Sequence, residues 1–306
     1  MKRHYTISTL LLISCLWAAT MHGQTSTDAI MMNKGDICFF LGYEHAEFDT
    51  YWEGTLERVN GNIGTFTRSS VIGGFTYGIF NNLNFLVSAP YIRTKSSGGQ
   101  LAGADGLQDL NVALKAEIIE KQLWKGKLYL LPVAEFSTPL SNYLSDYQPY
   151  SLGLHTNQFL MRGTIQYKLD MGLYLRGSAA HLWRTETRIE RDYYYNNGSY
   201  YTEWMDVPNA WNFQATAGIW LFNDALRVEG TYTSLRCTSG DDIRAWNAPQ
   251  PTNKVEADQI GGFAQYYFPQ VPGLGVIAYY STVLEGRNAA NMTGFGGGIT
   301  YQFKLF

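Results

Sequence analysis

From residue 36 onward the chain alternates. Apolar side chains recur at every second position in runs of about 10 to 15 residues, and each run ends in a turn or a polar loop. Leu226, Val228, Gly230 and Tyr232 oppose Arg227, Glu229, Thr231 and Thr233. Residues 211–221 set Trp211, Phe213, Ala215, Ala217, Ile219 and Leu221 against Asn212, Gln214, Thr216 and Gly218. Residues 158–169 set Phe159, Met161, Gly163, Ile165, Tyr167 and Leu169 against Gln158, Arg162, Thr164, Gln166 and Lys168. A period of two makes each run a strand with one dry face and one wet face. Twelve such runs can be read.

The connections alternate as well. Tight ones fall at 81–83, 122–126, 170–172, 223–224 and 270–273. Longer polar ones fall near 51–64, 96–106, 139–155, 193–209 and 238–255, with a shorter one at 287–291. Short turns on one side and long loops on the other describe an all-β, up-and-down antiparallel barrel of about 12 strands, with both ends of the chain on the short-turn side, as in transmembrane barrels.

A soluble lipocalin-like barrel or a sandwich also has alternating strands, but its apolar face fills the interior, and about eight strands suffice to pack one. Twelve enclose too wide a space. The charged residues of the strands, Glu44, Asp109, Lys115, Glu117, Glu135, Arg162, Lys168, Arg176, Arg227 and Glu229, all fall on the polar face and are the candidate lumen-lining residues. An uncharged outer face over a polar lumen is what a bilayer demands, because a charge or unsatisfied backbone group in hydrocarbon costs several kcal/mol. Mean hydropathy is -0.19. After residue 20 no run approaches the roughly 18 consecutive apolar residues of a membrane helix. The 22 Tyr, 16 Phe and 8 Trp exclude a solvated, disordered polymer.

Aromatic placement agrees with a membrane barrel. His45, Tyr91, His181, Trp183 and Trp211 lie on apolar faces near the long loops, and Phe268, Tyr301 and Phe303 near the short turns, as two interfacial girdles would. The sequence ends in Phe306, an ending typical of chains handed to the barrel-assembly machinery, although the final alternation runs through Phe295, Ile299, Tyr301, Phe303 and Leu305, one register away.

Residues 1–23 read as a secretory signal peptide, with Lys2 and Arg3 ahead of an apolar core from Leu10 to Ala19, leaving 24–306 as one barrel domain. Cutting at Cys15, as in a lipoprotein, would split that core. Removing the leader takes away Lys2 and Arg3 and no acid, so the net charge moves from -3 to -5 and nothing points to nucleic acid. Cys38 and Cys237 sit in no metal-ligand spacing and read as small wall residues, free or paired.

Residues 71–140 carry a more specific pattern. Gly73-Gly74-Phe75-Thr76-Tyr77-Gly78 precedes a tight turn, and Asn84 to Tyr91 reads Asn-Phe-Leu-Val-Ser-Ala-Pro-Tyr. A Gly-rich loop, Gly106-Leu-Gln-Asp-Leu-Asn-Val-Ala-Leu-Lys115 and a Phe136-Ser-Thr-Pro139 close follow. This succession resembles the outer-membrane proteins of the meta-pathway of phenol degradation. The resemblance implies an outer-membrane transporter for hydrophobic or aromatic solutes.

Each candidate site has a plainer reading beside it. Asp109 could line a constriction, yet hydrogen bonding to neighbouring wall residues is the stronger reading. Alternation through Arg184, Glu186, Arg188 and Glu190 would point all four into the lumen as a charge ladder. The favoured alternative is a stiffened strand protruding above the membrane, where exposed ion pairs contribute about 0 to 1 kcal/mol each. Tyr193, Tyr194, Tyr195, Tyr200, Tyr201 and Trp204 crowd an external hairpin around Asn196-Asn197-Gly198-Ser199. They could hold sugars or aromatic solutes, but cross-strand packing accounts for them more simply. Asp241-Asp242 lacks the spaced oxygen ligands of a calcium site. His45, His155 and His181 have no serine at the spacing of barrel hydrolases, and no nucleotide or zinc motif occurs, so neither enzyme activity nor a cofactor is expected.

The sequence therefore predicts a bacterial outer-membrane channel that passes small solutes, surrounded by outer-membrane lipid. The alternatives are a non-conducting surface-binding barrel and, behind it, an outer-membrane lipid hydrolase. The dozen residues between the leader and the first strand look too few for a globular plug, so any obstruction is expected from the 139–155 and 238–255 loops.

Overall fold

The computed structural model describes residues 25–244 and 248–305; the leader, Cys15 and Phe306 lie outside the described residues. Twelve long strands form the wall: β1 (Asp36–Phe48), β2 (Phe66–Phe80), β3 (Leu83–Ser96), β4 (Asp109–Ala116), β5 (Gly126–Pro139), β6 (Gln158–Leu169), β7 (Leu173–Arg184), β8 (Ala210–Leu221), β9 (Leu226–Cys237), β10 (Glu256–Tyr267), β11 (Leu274–Arg287) and β12 (Thr293–Lys304). Each pairs antiparallel with the next, and β12 returns to β1 with Phe39 opposite Tyr301, which closes the barrel. Closure removes the sheet edges that would otherwise leave backbone groups unpaired.

Alternation sets the two faces as the sequence implies. Leu41, Val71, Leu114, Ile165, Leu175 and Ile299 stand exposed on the outside. Thr164, Gln166, Arg176, Arg227 and Gln265 are buried inside. Rings of four successive strands, Phe303, Phe39, Phe75 and Phe85, meet at 6.1, 6.0 and 6.2 Å toward the short turns. Near the long loops Phe159, Trp183, His181 and Trp211 meet at 5.6, 4.4 and 4.6 Å. These are the two girdles, separated by an aliphatic belt.

Three local features refine the sequence reading, choose between its alternatives or depart from it. β4 does not run straight into its turn: Ile119–Leu123 forms a separate short strand on β5, slipped by one residue across Glu117 and Ile118, with the turn at Trp124-Lys125. The slip brings Glu120, as well as Glu117, to the mouth.

Of the two readings of Arg184 to Glu190 the structure shows the favoured one, a segment protruding above the barrel, and the lumenal charge ladder does not form. The strand breaks after Arg184, and Thr187–Arg188 pairs with Trp204–Met205 above the barrel. Thr187 and Ile189 are the buried residues there, while Glu186, Arg188 and Glu190 face solvent, and Arg188 pairs with Glu203 at 2.9 Å. A small cluster of Ile189, Tyr194 and Met205 turned the alternation over, because a loop that packs on itself buries its own apolar side.

The third feature is inside. Residues 25–33 do not stop at the mouth but run up the lumen as a strap. Gly78 makes room for it: a Cβ there would lie 2.1 Å from the carbonyl oxygen of Asn33. Lys34 N–H donates to Asn81 Oδ1 at 2.9 Å and Gly35 N–H to the Gly78 carbonyl at 2.9 Å, fixing the strap to the β2–β3 turn. This is no globular plug, but it corrects the expectation that only external loops enter the lumen: a strap can do so because it needs no core of its own. It borrows the wall's.

Candidate functional site

The strap is held at Asp28. Its Oδ1 accepts from Lys115 Nζ at 2.5 Å, and its Oδ2 lies 3.8 Å from Arg227 Nη1. Lys115 is 0% and Asp28 2% exposed. Lys115 also donates to the Thr25 carbonyl at 3.0 Å. A tight turn shapes the carboxylate: Thr25 N–H and Ile30 N–H donate to its two oxygens at 2.6 and 3.0 Å. Burial alone would raise the Asp28 pKa, but the charge of Lys115, then that of Arg227, outweighs it and holds the carboxyl at about 2.

Of the candidate lumen residues, Lys115, Arg162, Arg176, Arg227 and Glu229 are buried within the barrel, and Lys115, Glu135, Arg176, Arg227 and Glu229 gather around the strap. Glu135 is hydrogen-bonded to Ser26. Arg176 grips Glu229 through two bonds, Nη1–Oε1 at 3.0 Å and Nη2–Oε2 at 2.9 Å, and Arg227 lies 3.7 Å from the same carboxylate. Arg227 also stacks over Phe263 at 4.6 Å and Trp220 at 5.6 Å. Elsewhere, Lys168 pairs with Asp224 at 3.3 Å, Arg162 donates to Ser178 at 2.9 Å and Asn212 at 3.2 Å, and Glu44 accepts from Tyr279 at 3.1 Å. Apolar residues share the interior, notably Leu86, Ala113 and Val133 in one patch and Leu160, Ala180 and Leu182 in another.

A cavity opens at each end. The short-turn cavity, about 510 Å³, is lined by the strap together with Glu117, Glu120, Lys168, Arg176, Trp220 and Arg227. The long-loop cavity, about 1080 Å³, is walled by Phe48, Tyr51, Phe66 and Tyr150 on one side and by Arg68, Gln108 and Asp109 on another. Segment 139–155 folds inward beside it, as expected. Tyr150 packs on Phe66 at 5.6 Å, Arg68 donates to the Leu152 carbonyl at 3.3 Å, and the Tyr143 hydroxyl donates to Asp109 at 2.5 Å. Burial, and then the bond to Asp109, pushes the Tyr143 pKa up, so this phenol stays a donor. The described part of the 238–255 loop is anchored by Asp242, which takes two bonds from Arg287 at 2.7 and 2.8 Å.

The external aromatic residues are placed apart from both cavities. Tyr194 is buried and stacks on Tyr200 at 5.0 Å in the hairpin around Asn196–Gly198, Tyr195 offers its carbonyl to Gln250 at 2.6 Å, and Trp204 is half-exposed. Cys38 and Cys237 are free and buried in the wall. Among the described residues no cluster of three or more metal-ligating side chains occurs.

The barrel is similar to the COG4313 outer membrane channel from Pseudomonas putida F1, with a TM-score of 0.68 at 13% identity over 89% of this chain and 97% of that one. Weaker overlaps occur with the KdgM porin (TM-score 0.44, 8% identity, 86% and 99% of the two chains) and the NanC porin (0.46, 10%, 87% and 98%). No protein-family model and no curated protein sequence matches the chain. At such identities the first likeness establishes the fold, and function has to be argued from side chains.

Proposed function

We propose that the protein is an outer-membrane channel through whose lumen small solutes pass without cofactor or energy input. The observation that carries this is the inverted wall: apolar belt and aromatic girdles outside, charged and hydrogen-bonded side chains inside, and a cavity at each end of the same axis. The likeness to a channel and the sequence resemblance to phenol-pathway transporters point the same way. Mixed apolar and charged patches on the inner wall suit solutes that carry both an apolar body and a polar group, as small aromatic and hydrophobic metabolites do.

Selection would come first at the long-loop cavity, where aromatic rings share the lining with Arg68 and Asp109, and again at the strap. The purified full chain in liposomes tests the reading by swelling. Neutral and anionic solutes of low mass should enter faster than into protein-free liposomes, with rate falling as size grows. Equal rates with and without protein would leave a non-conducting binding barrel as the better account.

A further inference from the structure

Asp28 occupies its place in the way a ligand does. The wall supplies one cation to each carboxylate oxygen, Lys115 to Oδ1 and Arg227 to Oδ2, while the carboxylate comes from the strap, a segment outside the sheet. Asp28 is the one acidic side chain within 4.0 Å of Lys115 among the described residues. Glu229 takes two bonds from Arg176 and also lies 3.7 Å from Arg227, so the three cations Lys115, Arg176 and Arg227 meet only two close carboxylates, those of Glu229 and Asp28, and Asp28 is the one that serves Lys115.

Arg227 is 3% exposed, and its Nε and Nη1 make no hydrogen bond to any described residue. Unbonded guanidinium hydrogens buried over aromatic rings are costly unless an acceptor reaches them. Asp28 at 3.8 Å and Glu229 at 3.7 Å face Arg227 without bonding to it. A free carboxylate, not tethered to a strap, could approach both cations more closely. The surroundings give its shape: Ala113 and Val133 beside Lys115, and Trp220 and Phe263 beside Arg227, would take a short apolar or aromatic body.

We propose that Lys115 and Arg227 form a binding site for small monocarboxylates, and that Asp28 is an internal stand-in for that ligand which such solutes displace. The site deepens the channel reading and rests on it for its place in transport. Displacing Asp28 frees the strap from its two cations, so arrival of a fitting solute and widening of the lumen become one event. Affinity for the solute is lowered by the fraction of time Asp28 holds the site, as in any competition with a tethered ligand.

Acetate, the side chain of Asp28 cut free, is the probe, and acetamide is its uncharged match. Binding to the detergent-purified full chain is measured by calorimetry at constant ionic strength for wild type, Asp28→Ala and Asp28→Ala with Lys115→Met. Asp28→Ala should bind acetate at least about tenfold more tightly than wild type, a gain of about 1.4 kcal/mol. Acetamide should not discriminate, and the double variant should lose the gain. Asp28→Asn, which keeps the shape of the side chain, serves where the alanine variant fails to fold. Acetate affinity unchanged by removal of the Asp28 charge, or matched by acetamide, overturns the proposal. Because binding is read without any current, a protein that conducts and ignores acetate loses this inference alone. One that binds acetate and passes no ions keeps the site and loses the channel.

Discussion

Arg176 on β7 and Glu229 on β9 are joined by two parallel bonds across the intervening β8, where Gly218 lies beneath the ring of Tyr174. The Tyr174 hydroxyl donates to the same carboxylate at 2.5 Å. A Cβ on Gly218 would stand 2.4 Å from that ring, so the glycine is what lets three strands share one buried acid. Glu229→Ala leaves the Arg176 charge buried and should cost about 3–5 kcal/mol. Glu229→Gln with Arg176→Gln should recover part of the loss. Gly218→Ala, which displaces the Tyr174 ring, should cost about 1–3 kcal/mol. Urea unfolding in detergent micelles measures all three. A single Glu229→Ala no weaker than the double variant contradicts the pairing.

The strap should come loose without the barrel. Gly78→Val places carbon against the Asn33 carbonyl and leaves the ladder between β2 and β3 intact. Hydrogen exchange of residues 25–33 should rise by about tenfold or more, while β6 to β9 stay protected. Unchanged exchange in the strap would mean that its seat does not depend on this close approach.

Acid should release the strap only late. The Asp28 pKa, about 2, lies below its ordinary 3.8, so folding favours the ionised form. Its contribution is complete above about pH 4 and disappears as pH falls through about 2. The part of the current that depends on Asp28 should therefore be flat from about pH 7 to pH 4, with any rise confined to stronger acid. Lys115, Arg176, Arg227, Glu229 and Glu135 surround the strap, with Glu117 and Glu120 at the mouth, and a variant carrying Glu135→Gln, Glu117→Gln and Glu120→Gln separates the share of those three carboxylates. A rise between about pH 7 and pH 5 that survives in that variant contradicts this account of Asp28.

Asn288 joins three external segments. In a left-handed conformation (φ 50°), its side chain accepts from Gly54 N–H and Ile243 N–H at 2.9 Å each, and donates to Asp242 at 2.9 Å and the Lys254 carbonyl at 2.7 Å. Asn288→Ala leaves several of these groups without a partner, at about 1–3 kcal/mol for each one that stays buried. Limited proteolysis should cut the 238–255 loop faster in this variant, with the barrel resistant. Equal cutting rates would show that the junction does not hold the loop.

The barrel was legible because bilayer and lumen impose opposite demands on adjacent residues. Ile165 and Gln166 are consecutive, one outside and one inside. Lumen candidates followed from the same parity, which is why Lys115, Arg176 and Glu229 could be named from their neighbours alone. Parity says nothing about partners. The match of Lys115 to Asp28 spans 87 residues and involves a segment with no period at all. It also fails where a loop builds its own core, as Ile189 and Tyr194 do, turning Arg188 outward. A lone aspartate among small polar residues carried no signal of its own. A sequence clue did exist in the lumen, where Lys115 and Arg227 bring buried positive charge that some acid has to meet.

If solutes cross this barrel along its lumen and the strap narrows the way, single-channel recording in planar bilayers will show it, with wild type and Asp28→Asn compared in the same salt. Wild type should insert with small, discrete current steps, and Asp28→Asn should give larger or longer ones. Protein that is shown to be inserted yet passes no current in either form would contradict a lumenal route.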